Sequence, residues 1–512
     1  MNRLLKNAIF YQIYPTSFFD SNNDGVGDLN GITQKVDYVK QLGVNFIYLN
    51  PFYPSEFKDG GYDVTDYKNV DPRFGTLEDF KNLVRTYEEN GIGVIIDIVF
   101  GHTSDKHPWF IESAKAEKNK YSDYYIWTGS IFETYKNKTV LGLYPRNGGY
   151  YANYYACQPA LNFGFNKVEK PWQMKYDDPR LEPLRNELIS ILKFWLSLGV
   201  KGFRCDMANS LVKDPCFDSL NPEDNVGNKW VWNKIMSAVK SEYPDCIFVA
   251  EWVNANNAIN MGGFDIDFYA HDVLPYNSLF RSEKNTNLIP ELENGINYFS
   301  LKDGGNFDYF LERYLSDLKA VDGKGYFSVI SGNHDEIRLI EQKDEELMKC
   351  IFAFLLTLKH VPFIYYGDEI GMKHNFNVSK DGGYIRTGAR TPMIWDNGKN
   401  RGFSTNNEVY LPLGKTKSVS DNELDKNSLL NIVRRLIDLR NNHSCLMADA
   451  NIEFVNTKDY LEYKRFNNEE EILIIINHKG KKMKINNNKE ILCSYNFVNN
   501  EFKEKGFVVF KN

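Results

Sequence analysis

Four short stretches of the chain carry an acid at or near the end of an apolar run: Asp97 in "DIVFGH", Asp206 in "GFRCD", Glu251 in "VAEW" and Asp335 in "GNHD". Each follows a β-branched or aromatic run, so each reads as the end of a strand. One such acid alone is a helix cap or a solvated loop residue. Four of them, with His102 and His334 in the same stretches and Arg204 on the same strand face as Asp206, call for a shared explanation. Several carboxylates, one arginine among them, imidazoles and plentiful aromatic rings suit glycosidic bond cleavage. Its transition state is cationic and needs anions nearby, while the leaving oxygen needs a proton. Pairing with arginine would keep one carboxylate ionised, and burial beside negative neighbours would keep another protonated. A metal hydrolase also uses acids and histidines, but the chain has no His-Glu-x-x-His.

A second group of acids lies in "DSNNDGVGDLNG", Asp20 to Gly31. Oxygen side chains at Asp20, Asn22, Asp24 and Asp28, with Gly25 between them, follow the first nine positions of an EF-hand loop. The twelfth position is Gly31 instead of a bidentate Glu, and the residues before the loop read as a strand. The loop is therefore a metal loop of another kind or a solvated Asn/Asp turn.

The elements that must position these residues recur along the chain. Eight β-rich runs, "AIFYQIY", "VNFIYLNPF", "GVIIDIVF", "GFRCD", "CIFVAEW", "FDIDFY", "YFSVISGNHD" and "VPFIYYGDE", alternate with helical patterns. Those patterns are Thr76 to Asn90, Pro183 to Leu198, Lys229 to Tyr243, Phe307 to Val321 and Glu345 to Lys359, with a last one at Leu429 to Asn441. The alternation predicts an α/β fold, a (β/α)8 TIM barrel over residues 1–101 and 179–443, with chemistry at the carboxyl ends of its strands. Residues 102–178, polar and rich in Gly and Tyr, are too long for a loop and predict a small inserted domain after strand 3. Residues 444–512 alternate as strands without helices and predict a C-terminal antiparallel β-sandwich domain. The long connection from Gly367 to Asp425 would lie over the active face.

Composition limits the alternatives. The 512 residues carry 61 basic against 68 acidic side chains, a net charge of -7, too balanced for nucleic acid or an anionic membrane. Aromatics make up 15% and suit sugar faces as well as cores. The start, "MNRLLKNAIFYQIYP", lacks a secretory signal pattern, and no stretch reaches membrane-spanning length, so a cytoplasmic location is expected. The seven cysteines, among them Cys216, are scattered with no Cys-x-x-Cys, which argues against a disulfide framework or a structural zinc site.

The four acid-bearing stretches, "DIVFGH", "GFRCDMAN", "VAEW" and "SGNHDE", together with "QPALNF" (Gln158 to Phe163), resemble in order the motifs of the α-amylase family, glycoside hydrolase family 13. The resemblance spans essentially the whole chain. It implies that Asp206 is the nucleophile, Glu251 the general acid that later becomes the base, and Asp335 the acid that stabilises the charged ring. It further implies that Arg204 keeps Asp206 ionised, that His102 and His334 bind the sugar, and that Asp97 braces the cluster from below. In "GGYDVTDY", Tyr62 would stack on the sugar and Asp63 would grip its hydroxyls. The chain is most similar to the oligo-1,6-glucosidase and α-glucosidase branch, through "QPALN" and "ARTPMIW". There, Asp63 would pair with Arg390 and close the site into a pocket that favours exo attack. The same branch implies one structural Ca2+ or Mg2+ held by Asp20, Asn22, Asp24, the Val26 carbonyl and Asp28, and no organic cofactor. The expected partner is an oligosaccharide or disaccharide substrate, with the chain a monomer or homodimer.

Several positions depart from the family. Gly101 and Ala160 stand where amylases place side-chain ligands of a second calcium, so that ion is not expected. Endo-amylases carry a Lys-His pair shortly after the nucleophile, where this chain has Ala208 to Ser210, which disfavours endo cleavage. Met207 follows the nucleophile and is neither the Val of 1,6-specific members nor the small residue of 1,4-specific ones. Tyr144, Tyr150, Tyr151, Tyr154 and Tyr155 are candidate sugar platforms, several of them better suited to a small β core. The resulting expectation is a retaining, exo-acting α-glucosidase on short malto- or isomalto-oligosaccharides. Its alternatives are a transglucosidase or isomerase such as a trehalose synthase, and a non-catalytic binding relative.

Overall fold

The computed structural model describes residues 1–142, 144–213, 226–270, 273–281 and 294–512; Cys216 lies outside them. Eight strands form one parallel sheet: β1 (Phe10–Ile13), β2 (Phe46–Leu49), β3 (Gly93–Ile98), β6 (Gly202–Cys205), β7 (Ile247–Ala250), β8 (Ile266–Tyr269), β9 (Tyr326–Val329) and β10 (Phe363–Tyr365). The sheet order is β10-β1-β2-β3-β6-β7-β8-β9, and backbone bonds from Val361 to Phe327 and from Ser331 to Phe363 link its two ends into a barrel. Nearly every strand residue is buried on both faces, because helices cover the outside. The eight strands coincide with the eight runs read from the sequence.

Helices between the strands bury one apolar stripe each. Leu77–Glu89 turns Phe80, Leu83, Val84 and Tyr87 inward and starts with a reciprocal Thr76–Asp79 capping box. Glu345–Thr357 is buried from Leu347 onward, since it lies between the barrel and the C-terminal sheet. Tyr463 from that sheet meets Thr357, and the Arg465 guanidinium donates to the Thr357 carbonyl.

The barrel interior is layered. Phe10 stacks on Phe46 at 4.8 Å and on Phe363 at 4.2 Å, giving an apolar floor. One layer higher the inward side chains are polar: Tyr48, Asp97 and Arg204 replace the branched aliphatics that usually fill a barrel. A buried ion pair costs stability unless fully bonded, so a polar layer placed just under the strand ends points to a site there.

Residues 102–178 leave the barrel after β3. They contain the short pair β4 (Thr139–Val140) and β5 (Tyr150–Tyr151), with a separate core of Ile126, Tyr135, Tyr151, Ala160 and Phe165. The C-terminal domain hydrogen-bonds as one six-stranded antiparallel sheet, β11 (Asn451–Asn456) to β16 (Glu501–Lys511). The long β16 pairs with β13 (Glu471–Asn477) and β14 (Met483–Lys484) as well as with β15 (Ile491–Val498). One face joins the barrel core through Tyr463, Ile474 and Phe507, and the other closes its own core of Phe497, Phe502 and Phe510. No described helix is long and apolar enough to cross a membrane.

Candidate active site

Strand pairing places the acids. β6 and β7 run side by side with Cys205 opposite Ala250, so Asp206 and Glu251, the next residues, leave adjacent strands at the same height. Between them sits Arg204, 2% exposed. Its Nη1 lies 2.8 Å from Asp206 Oδ1 and 3.0 Å from Asp97 Oδ1, and its Nη2 lies 2.5 Å from Glu251 Oε1. One guanidinium thus spans three carboxylates, and those anions hold its pKa above the ordinary arginine range against the effect of burial. Burial raises the Asp206 carboxyl, the Glu251 charge adds to that, and Arg204 opposes both. Asp97, fully buried below them, accepts hydroxyl bonds from Tyr48 and Tyr62 at 2.6 and 2.7 Å.

Across the cavity, Asp335 is gripped by Arg386 Nη1 at 2.9 Å, Arg390 Nη2 at 2.8 Å and His334 Nε2 at 3.0 Å. Burial raises its pKa, but His334 and the two guanidinium groups outweigh burial and hold it well below the usual carboxylate range. His334 Nδ1 faces the amide nitrogens of Gln12 and Asn50, which leaves its proton on Nε2, toward Asp335. Tyr62 lies parallel to the His334 ring at 5.1 Å. His102 is buried, and desolvation brings it down to about 3, so its ring is neutral.

Two expected partners do not meet. Asp63 lies outside the cavity, fully buried, and accepts from Ser55 Oγ at 2.8 Å and from the backbone N–H groups of Lys58 and Asp59 at 3.2 Å each. Its carboxyl anchors the loop and is raised by burial. The acid that faces the cavity is Asp59, which accepts from Arg386 Nη2 at 3.0 Å and from Gln158 Nε2 at 2.7 Å. Arg390 is 2% exposed and also donates to the His334 carbonyl at 2.9 Å, so it braces Asp335 from behind. The pair that walls the site is therefore Asp59–Arg386 in place of Asp63–Arg390. The reason is the turn at Gly60 and Gly61, both at positive φ, which points Asp59 up and Asp63 back into the loop. Both substitutes lay four residues before the residues chosen, in "KDGGYD" and "YIRTGAR".

The cavity enclosed has a volume of about 210 Å³ and is lined by Tyr62, His102, Asp206, Glu251, Asp335, Asp59 and Arg386, with Tyr154, Met207, Asn209 and Val253 at its edge. Of the tyrosine candidates, Tyr154 is 60% exposed at the mouth, and Tyr155 bonds Arg386 and the Gly382 carbonyl. Tyr150 and Tyr151 are buried in the inserted segment, and Tyr144 packs against Tyr150.

The first loop hangs together around Asp20. Its Oδ1 accepts from the N–H groups of Asn22, Asn23 and Asp24, and its Oδ2 from Gly25 N–H and Ser404 Oγ. Asp24 accepts from Val26 N–H and from the Asn22 amide, while Asp28 caps the next helix through Gly31 N–H and binds Ser21. Gly25 has φ +91°, and a Cβ there would come within 2.4 Å of the Glu408 carbonyl, so glycine lets the loop dock on the 403–410 segment. Five donors fill the roughly four lone-pair positions of the Asp20 carboxylate. In this arrangement N–H and hydroxyl donors occupy the Asp20 oxygens, and no group of three or more His, Cys, Asp or Glu side chains converges on a metal position among the described residues.

The alpha-amylase family model, described as alpha amylase, catalytic domain, matches residues 12–449. The chain is 34% identical to alpha-amylase 3 of Dictyoglomus thermophilum, over 99% of this chain and 89% of that one. It is 30% identical to an oligo-1,6-glucosidase of Parageobacillus thermoglucosidasius, over 93% and 90%. Among solved structures it resembles the trehalulose synthase MutB from Pseudomonas mesoacidophila MX-45, with a TM-score of 0.81, 25% identity and 99% of each chain covered. With eight parallel strands, three of the four acids read from the sequence lining one cavity, the fourth buried beneath them and these relatives, the chain belongs to the α-amylase family.

Proposed function

We propose that the chain is a retaining, exo-acting α-glucoside hydrolase on short malto- or isomalto-oligosaccharides, working by double displacement. The observation that carries this reading is the single Arg204 guanidinium bonding both Asp206 and Glu251. Acids that leave adjacent strands at the same height and share one guanidinium suit the closely spaced pair of a retaining enzyme. Asp206 attacks the anomeric carbon while Glu251 passes its proton to the leaving oxygen. The bond to that oxygen breaks, and a glycosyl ester forms on Asp206. Water then enters, Glu251 takes its proton, and the ester bond breaks with overall retention. Asp335, kept anionic by His334, Arg386 and Arg390, faces the positive charge that develops on the ring. Tyr62 gives the sugar an aromatic face, Arg386 gives it hydrogen-bond donors, and the His102 ring lines the pocket beside it. The Asp59–Arg386 pair walls one end of the cavity, which supports attack at a chain terminus.

A second reading, a transglucosidase or isomerase, is favoured by the likeness to a trehalulose synthase. It shares the first displacement and differs in delivering the glucosyl group to a sugar. Incubation with maltose, isomaltose, sucrose and trehalose, with chromatographic separation of products, decides between them. Free glucose with retained configuration supports hydrolysis, and disaccharide isomers at constant glucose support transfer. No turnover of any of the four refutes both.

We propose also that the first loop takes one Ca2+ or Mg2+ by exchanging some of the N–H bonds of Asp20 for an ion shared with Asn22, Asp24, the Val26 carbonyl and Asp28. The hydrogen-bonded turn and the ion-filled loop compete for the same oxygens. A cytoplasmic location is supported by six described cysteines that are all free thiols, five of them buried.

A further inference from the structure

We propose that Lys213 is a positioning residue that fixes the orientation and tautomer of His102 through the amide of Asn153; the proposal rests on the reading of His102 as a sugar-binding group. The three side chains come from separate parts of the chain and meet where the inserted segment sits on the barrel. Lys213 is 6% exposed, Asn153 3% and His102 2%. Lys213 Nζ donates to Asn153 Oδ1 at 3.1 Å and to the Ser210 carbonyl. An Nζ–H aimed at the amide selects its oxygen and turns its nitrogen the other way. That nitrogen lies 3.1 Å from His102 Nδ1. Facing a donor, Nδ1 must present its lone pair, which leaves the ring proton on Nε2, 3.1 Å from the Tyr62 carbonyl oxygen. A neutral imidazole has one donor and one acceptor, so the choice made at Lys213 decides which edge of the ring is which.

Two further observations support the relay. A Cβ at Gly101 would lie 2.7 Å from Asn153 Nδ2, so glycine at that position gives the amide its seat beside the neighbouring His102. The seam itself does not depend on the ammonium: Lys213 N–H bonds the Gly164 carbonyl at 2.9 Å, and Asn166 N–H bonds the Lys213 carbonyl at 3.0 Å. The backbone joins the two parts, and the side chain is free to serve the relay.

The test uses the full chain with 15N-labelled histidine, His102 being identified as the signal lost in His102→Ala. In Asn153→Asp the carboxylate still accepts from Lys213, so the seam is kept, but it has no proton to give Nδ1. The wild type is expected to show a proton-free Nδ1, and Asn153→Asp a protonated one. kcat/KM on maltose or an aryl α-glucoside should fall about 100-fold in Asn153→Asp, the scale of a misplaced binding group, with little change in melting temperature. Lys213→Met should match it, and adding His102→Ala to Asn153→Asp should cost little more than His102→Ala alone. A proton-free Nδ1 persisting in Asn153→Asp would overturn the relay. Wild-type kcat/KM in His102→Ala would instead overturn the sugar-binding reading, with the tautomer measurement still deciding the geometry.

Discussion

The exchange of Asp63 for Asp59 at the cavity wall can be tested by comparing two substitutions four residues apart. Asp63→Ala leaves the Ser55 hydroxyl and the Lys58 and Asp59 N–H groups facing a fully buried gap. An unsatisfied buried donor costs about 1 to 3 kcal/mol, and three donors, partly relieved by the removal of a desolvated carboxyl, give about 3 kcal/mol of lost stability. Asp63→Asn should do nearly as badly, because its NH2 group would have to face another donor. Asp59→Ala removes one acceptor from Arg386, which keeps Asp335 and Tyr155, and one from Gln158. Its stability cost should be about 1 kcal/mol, while the opened wall lowers kcat/KM by about 100-fold. Denaturant unfolding followed by fluorescence and steady-state kinetics on a cleaved disaccharide give both numbers for each variant. If Asp63→Ala unfolds at the wild-type midpoint yet loses more kcat/KM than Asp59→Ala, the assignment of the wall to Asp59 is wrong.

Glu251→Gln should lower kcat on maltose by about 100- to 10,000-fold, and a substrate whose leaving group needs no proton should recover the first step; equal losses on both substrates would argue against a general acid there. Burial pulls Lys213 down to about 7. Between that pH and the ordinary lysine range the unfolded chain keeps a proton that the folded chain has released, so stability from this group rises with pH, by up to about 1.4 kcal/mol per unit. Unfolding of wild type and Lys213→Met compared at pH 7 and 9 should show a shallower slope in the variant, the remainder coming from groups such as Lys343, which burial also pulls down to about 7. For the first loop, Ca2+ at about 100 times its dissociation constant should add about 2.7 kcal/mol of stability over the EDTA-treated chain. Asp24→Ala should abolish that gain; a melting temperature indifferent to Ca2+, Mg2+ and EDTA would leave the hydrogen-bonded turn as the loop's state.

The barrel was legible because its strands are short, continuous apolar runs bounded by turn residues, and because eight of them alternate with amphipathic helices. Asp206 and Glu251 were legible for the same reason, since each directly follows its strand, whereas Asp97 lies inside β3 and Asp335 on the connection beyond β9. What the sequence left open was set by contacts between distant segments. Spacing alone could not choose between Asp59 and Asp63, because the Gly60–Gly61 turn that separates their directions is a backbone event. Lys213 went unmarked because its partner, Asn153, lies 60 residues away in the inserted segment. A lysine beside a strand pattern looks solvated until the fold buries it.

The separation of the two proposed catalytic acids follows from the barrel more than from its loops. Beyond the last paired residues the ladder continues: Asp206 N–H bonds the Ile98 carbonyl at 3.0 Å and Glu251 N–H bonds the Cys205 carbonyl at 3.1 Å. Adjacent strands stand about 4.8 Å apart, so the backbones from which the two acids leave are spaced on the scale of the 5 to 5.5 Å that retention requires of their carboxyl groups. Immediately after, the chain turns through two cavity-lining residues at positive φ, Met207 at 43° and Val253 at 56°, a conformation that costs a side-chain-bearing residue about 1 to 2 kcal/mol. The first of these turns aims Met207 N–H at Glu251 Oε2, 2.8 Å away, and Ala208 N–H at the Glu251 carbonyl, 3.1 Å away. Local strain at the strand end thus locks one acid to the backbone of the other. Mutations that alter linkage preference at Met207 should therefore also alter the rate of the chemical step, because the same residue that lines the cavity carries the amide bonded to Glu251.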